Sequence, residues 1–151
     1  MFTYAIRVAG PADIAALRDV YRRSSLSNDG DRPNLLANPD SLDFDDSAVA
    51  EQRTRVAIDA DQIVGFATTH AHADIVELDD LFVDPHWMRR GVGRSLVIDA
   101  AMVARSLGAT RIEVTANPHA SAFYSAAGFV SDGVSETRFG PGHRMHLDVI
   151  S

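Results

Sequence analysis

The chain has 151 residues, 46% of them hydrophobic and 23% charged, which suits one globular domain burying about 70% of its unfolded surface. No apolar run approaches the roughly 20 residues of a membrane span, and the opening MFTYAIRVAG lacks the basic and apolar regions of a signal peptide, so a cytoplasmic protein is expected. The formal charge of −7 argues against nucleic-acid binding and mildly favours cationic partners, while the absence of cysteine excludes disulfides, thiolate metal sites and a cysteine nucleophile.

In chain order, Thr3–Val8 alternates as a strand. Pro11–Arg23 reads as a helix, with Ile14, Leu17 and Tyr21 on one face and a proline in its first turn. Ser24–Ser47 is rich in Asn, Asp, Pro and Ser, which predicts a long loop with at most a helical turn. Arg53–Asp59 and Ile63–His72 form a strand pair joined at Ala60-Asp61-Gln62, and Val76–Val83 is the next strand.

Beyond Val83 comes a turn at Asp84-Pro85, two arginines, and Gly91-Val92-Gly93. From Arg94 the pattern turns helical, with Leu96, Ala100, Val103 and Leu107 on one face. A strand, a basic glycine loop and a helix N-terminus together suit a phosphate or pyrophosphate, because the first helical N–H groups lack partners and glycine lets backbone approach an anion. An ordinary strand-helix turn is the other reading. Without a lysine anywhere, and with Leu96 where a third glycine is needed, neither a Walker loop nor a dinucleotide fingerprint is present.

Arg111–Ala116 alternates as a strand, and Asn117-Pro118 marks a turn. His119–Ala127 makes a short helix bearing Phe123 and Tyr124, and Gly128 fits the position after its C-terminus. Phe129-Val130 begins another strand, and Arg144–Ile150 closes the chain with Met145, Leu147 and Val149 alternating. Strands alternating with helices predict an α/β or α+β domain around a mixed sheet.

Two motifs in this order resemble the GNAT superfamily of acetyl-CoA-dependent N-acetyltransferases. Met88-Arg89-Arg90-Gly91-Val92-Gly93 matches the family's Arg/Gln-x-x-Gly-x-Gly/Ala pyrophosphate motif, with Met88 departing from the polar first position. Asn117, Phe123-Tyr124 and Gly128-Phe129 match the later Asn…Phe-Tyr…Gly-Phe motif. The resemblance is strongest over Val64–Val130. It implies one acetyltransferase domain over residues 1–151, with a mostly antiparallel central sheet flanked by helices. Its parallel central strands, Val76–Val83 and Arg111–Ala116, would splay around the thioester.

It further implies acetyl-CoA as acyl donor, no metal, and direct transfer to an amine of a small molecule or peptide, with a homodimer among the expected assemblies. Met88, Arg89, Arg90, Gly91, Val92, Gly93, Arg94 and Ser95 would cradle the pyrophosphate. Backbone N–H groups at Phe82 and Val83 would hold the pantetheine and polarise the thioester carbonyl. Asn117 would bond pantetheine or loop backbone, its other reading being turn chemistry before Pro118.

Acyl transfer to an amine needs a base for the nitrogen, donors for the developing oxyanion, and an acid for the leaving thiolate. Tyr124 is the candidate acid, since a phenol near pKa 10 stays protonated at neutrality; packing on the sheet is its alternative, a role that Phe123 can fill instead. Glu77 is the candidate base, by its offset from the glycine motif in the histone acetyltransferase branch; its alternative is an ion pair with an arginine. Glu77, Asp79 and Asp80 put three carboxylates within four positions of one strand, which is unusual for a central strand. His70 and His72 share a strand face, where they can line the acceptor site, join in proton transfer or sit solvated; a metal lacks a third ligand. Asp40, Asp43, Asp45 and Asp46 form an acidic cluster that can attract polyamines or basic peptides, or simply meet solvent. Trp87 touches either cofactor or turn. A catalytically silent acyl-CoA-binding regulatory module is the rival function, and it needs neither Tyr124 nor Glu77.

Overall fold

The computed structural model describes residues 4–27, 32–37, 44–137 and 140–149. Seven strands are hydrogen-bonded in the order β1-β2-β3-β4-β5-β7-β6. They are β1 (Ala5–Val8), β2 (Thr54–Asp59), β3 (Gln62–His72), β4 (Ile75–Val83), β5 (Arg111–Ala116), β6 (Val130–Thr137) and β7 (Gly140–Asp148). The helices are α1 (Ile14–Leu26), α2 (Arg32–Ala37), α3 (Ser47–Ala50), α4 (Val92–Ser106) and α5 (Ser121–Ala126). The β1–β2, β2–β3, β5–β7 and β6–β7 pairs are antiparallel, and β4–β5 is parallel. This is the mixed, mostly antiparallel α/β sheet flanked by helices that the motifs imply. The β4–β5 register runs from Ile75–Arg111 to Leu78–Val114, while β4 itself continues to Val83.

Contacts gather the chain into two compact units, Met1–Thr68 with Asp80–Leu96, and Thr69–Asp79 with Val97–Ser151. In the first, α1 begins through a 3-10 turn at Pro11–Asp13, where Asp13 accepts the Gly10 N–H at 2.8 Å and bonds Arg7. The helical period then brings Leu17 and Val20 onto Val56 and Phe66 in the core. Tyr21, Phe44, Phe66 and Phe82 form a ring cluster, with Tyr21 and Phe82 edge to face at 4.9 Å and Phe66 5.5 Å from Phe82. Such pairs add about 0.5–1.5 kcal/mol beyond burial, and they fix Phe82 on β4.

In the second unit, Val76, Leu78, Ile112, Val114, Met145 and Val149 are buried. The α5 helix ends in a Schellman turn: Gly128 takes φ +104, and the Phe129 N–H reaches back to the Tyr124 carbonyl at 2.9 Å.

Boundaries shift in instructive ways. The Ser24–Ser47 stretch holds the end of α1 and the whole of α2, where Pro33 sits in the first turn that tolerates it. Helix α4 begins at Val92, two residues before the helical apolar pattern becomes visible at Arg94. Asp40 and Asp43 lie outside the described residues, whereas Asp45 accepts the Ser47 N–H and Asp46 lies 3.7 Å from Arg18.

Candidate active site

The segment from β4 to α4 belongs to the first unit, and its shape is set by bonds from outside the loop. The Asp84 N–H donates to the Val64 carbonyl of β3 at 2.8 Å. The Asp84 carboxylate, 2% exposed, accepts from the His86 N–H at 3.0 Å and from Arg23 of α1 at 2.6 Å. Burial alone would push this carboxyl's pKa up, but the bonds from Arg23 and His86 outweigh it and hold the pKa below the usual range.

Arg89 and Gly91 both take left-handed backbone, at φ +63 and +80. A β-carbon added to Gly91 meets nothing within 4 Å, so glycine is called for there by φ rather than by space inside the protein. The Ser95 N–H bonds the Gly91 carbonyl at 3.0 Å, closing the first turn of α4. The N–H groups of Val92, Gly93 and Arg94 lie before that point, so the helix offers them no carbonyl partner. Met88, Arg89, Arg90, Gly91 and Arg94 are exposed. An exposed arginine loop leading into the N-terminus of a fifteen-residue helix has the donor chemistry of a pyrophosphate site. Trp87 serves the turn: the Arg90 guanidinium lies over its ring at 5.1 Å, and Tyr4 meets that ring edge to face at 6.5 Å.

Gly65 of β3 explains how closely this segment packs. A β-carbon there would stand 2.9 Å from both the Phe82 carbonyl and Val92 Cγ1, and 3.3 Å from Leu96. Only glycine lets β3 approach β4 and the start of α4 this closely.

Glu77, Asn117 and Tyr124 belong to the second unit. Glu77 faces Glu113 across the parallel β4–β5 ladder, and like charges placed opposite one another are destabilising. Arg144 of β7 relieves the clash. Its Nη1 donates to both Glu77 oxygens, at 3.0 and 3.2 Å, and to Thr115 Oγ1 at 2.8 Å, and its Nη2 bonds Glu113. The Glu77 bond raises the Arg144 pKa, burial opposes it, and the Glu77 charge and the Glu113 bond add to the rise. The arginine partner considered for Glu77 therefore exists.

Tyr124 is 7% exposed, with its ring 5.1 Å from Phe123 and 5.2 Å from Phe129. Phe123 is 38% exposed, so of the two aromatic neighbours it is Tyr124 that packs inward. Asn117 is exposed, and its carbonyl accepts the Ala120 N–H at 2.9 Å while its side chain makes no capping bond. His70 Nδ1 lies 2.7 Å from Asp79 Oδ2, which ties one predicted histidine to one predicted carboxylate. Among the described residues, no three His, Asp or Glu side chains gather as metal ligands.

Tyr4, Arg23, Gly65 and Arg144 escaped sequence reasoning. Only Gly65 carried a local signal, since glycine inside a strand marks close backbone approach. The others act on partners 29 to 86 residues away.

The profile of the acetyltransferase (GNAT) domain matches residues 50–131. Among solved structures, the PaiA N-acetyltransferase of Thermoplasma acidophilum, in complex with coenzyme A, superposes with a TM-score of 0.77 at 17% identity, covering 97% of this chain and 99% of that one. The ribosomal-protein-S18-alanine N-acetyltransferase of Escherichia coli gives 0.71 at 19% identity, with 99% and 96% covered. A phosphinothricin acetyltransferase of Sinorhizobium meliloti, in complex with AcCoA, gives 0.71 at 19%, with 97% and 89% covered. No protein of curated function matches the chain. With its fold, its glycine loop and more than half its length matched by the domain profile, the chain belongs to the GNAT acetyltransferase family.

Proposed function

We propose that this protein is a single-domain N-acetyltransferase over residues 1–151 that moves an acetyl group from acetyl-CoA directly to an amine of a small molecule or peptide. The observation that carries the reading is the exposed Arg89-Arg90-Gly91 turn, left-handed at Arg89 and Gly91 and continuous with the N-terminus of α4. It is supported by membership of a family with solved relatives in complex with coenzyme A or AcCoA.

In this reading Met88–Ser95 hold the pyrophosphate, the Phe82 and Val83 backbone holds the pantetheine, and Asn117 bonds the pantetheine or the loop backbone. The amine nitrogen attacks the thioester carbonyl, so a C–N bond forms and the C–S bond breaks. Glu77 is the group assigned to take the proton from the nitrogen, which requires that one of its oxygens be released from Arg144, and Tyr124 donates one to the departing thiolate. A phenol with pKa near 10 is a competent donor to a thiolate whose conjugate acid is near 8.5. The absence of cysteine suits direct transfer, since no thiol is present to carry an acyl-enzyme.

The two similar structures named for a ribosomal-protein alanine and for phosphinothricin illustrate a fold serving both protein and small-molecule acceptors. Both acceptor classes therefore remain in the proposal. Cytoplasmic action suits a cysteine-free chain, and no helix among the described residues is long and apolar enough to cross a membrane. A homodimer is carried from the resemblance, with sedimentation velocity as its test. The test of the reading itself is calorimetric titration with CoA followed by mass analysis of amines incubated with acetyl-CoA. Binding and an acetylated amine support it; failure to bind CoA refutes it.

A further inference from the structure

Resting on the acetyl-CoA reading above, we infer that Tyr4 is a positioning residue for the pyrophosphate, aiming the Gly91 N–H by pinning the Arg90 carbonyl. Tyr4 precedes β1 and is 7% exposed, yet its hydroxyl donates to the Arg90 carbonyl at 2.7 Å across 86 residues of chain. The described chain contains no cis peptide bond. In a planar trans peptide the C=O and N–H point in opposite directions, so fixing one fixes the other. With the Arg90 carbonyl turned inward to a buried hydroxyl, the Gly91 N–H turns outward on the exposed side of the loop. It then lies beside the leading N–H groups of α4, where an anion is held.

Arg89 and Gly91 flank Arg90 with left-handed backbone, at φ +63 and +80. Glycine reaches both signs of φ readily, so the Gly91 backbone does not by itself fix the Arg90–Gly91 plane. The Tyr4 ring is separately seated edge to face on Trp87, whose other partner is the Arg90 guanidinium. Ring packing thus places the hydroxyl, and the hydroxyl orients the peptide.

The test is Tyr4→Phe, which removes the hydroxyl and keeps the ring. For acetyl-CoA, KM and the calorimetric Kd of CoA should rise about fivefold to tenfold, the worth of roughly one hydrogen bond, with kcat unchanged. The discriminating arm uses S-acetylpantetheine, which carries the thioester without the pyrophosphate. Its kcat/KM should be the same in wild type and Tyr4→Phe, and the melting temperature should fall by no more than about 5 °C. An unmoved acetyl-CoA KM overturns the inference, as does an equal loss with both donors, which would mark a structural role. A wild-type protein that fails to bind CoA overturns the acetyl-CoA reading itself. Wild-type binding with an indifferent Tyr4→Phe overturns this inference alone.

Discussion

Glu77 and Glu113 stand opposite one another in the parallel β4–β5 ladder, and Arg144 bonds both. Arg111 adds a second guanidinium at 2.8 Å from Glu113, so two carboxylates and two cations balance. Removing Arg144 leaves two partly buried like charges face to face. Arg144→Met is expected to cost about 3 kcal/mol in urea unfolding, because breaking a partly buried ion pair strands its partners. Adding Glu77→Gln and Glu113→Gln to Arg144→Met should recover most of that loss. If Arg144→Met proves neutral, the ion cluster has no part in holding β4, β5 and β7.

The Arg23–Asp84 bond makes acid sensitivity a property of the segment leading to the glycine loop. Asp84 has a lowered pKa in the folded chain, so its contribution is present above the unfolded value, near 3.9, and is lost as pH falls through the lower folded value. Wild type should therefore lose stability on acidification below about pH 4 more steeply than Asp84→Asn, which has no carboxyl to protonate. At pH 7, Asp84→Ala should cost about 3 kcal/mol, since it leaves Arg23 and the His86 N–H without their acceptor. Parallel stability–pH curves for wild type and Asp84→Asn would contradict this account.

Tyr124→Phe isolates one hydroxyl on a ring seated between Phe123 and Phe129. The ring packing survives the change, so CoA affinity should be nearly unaltered. The kcat for amine acetylation should fall about 10²-fold or more, the usual worth of a general acid. Turnover equal to wild type would leave Tyr124 a packing residue only.

The identity of the base is read by pH profiles. Glu77→Gln should lower kcat/KM about 10²-fold and flatten the acidic limb, whereas His70→Gln should leave that limb in place. The opposite pattern would move the role to the His70–Asp79 pair, in which Asp79 holds Nδ1 and leaves Nε2 to accept the proton. Both variants should keep wild-type CoA affinity.

What was legible in the sequence is what local chemistry controls. The change from alternating to helical apolar spacing, with glycines between, marks β4, the loop and α4 within two residues. Gly128 marks the end of α5 because the backbone there takes φ +104. Helix α2 was hidden because Asn, Asp, Pro and Ser dominate its surroundings, although Pro33 sits where a helix start accepts proline. The carboxylate-rich β4 looked out of place as a central strand because its compensating cation, Arg144, lies 67 residues on. Tyr4, Arg23 and Arg144 reach across 29 to 86 residues, and no periodicity or propensity encodes such a pairing. Phe123 and Tyr124 show the limit at close range, since sequence places both on α5 while packing alone decides which turns inward.

Acetyl transfer to an amine is read out by release of free CoA thiol from acetyl-CoA against pooled acceptors. The pools are small amines, amino acids and peptides with free N-termini, and the cysteine-free chain adds no thiol of its own to the signal. Amine-dependent thiol release is expected with at least one pool, reduced about 10²-fold in Tyr124→Phe. Tight CoA binding with no release against any pool would contradict it and favour the silent acyl-CoA-binding module.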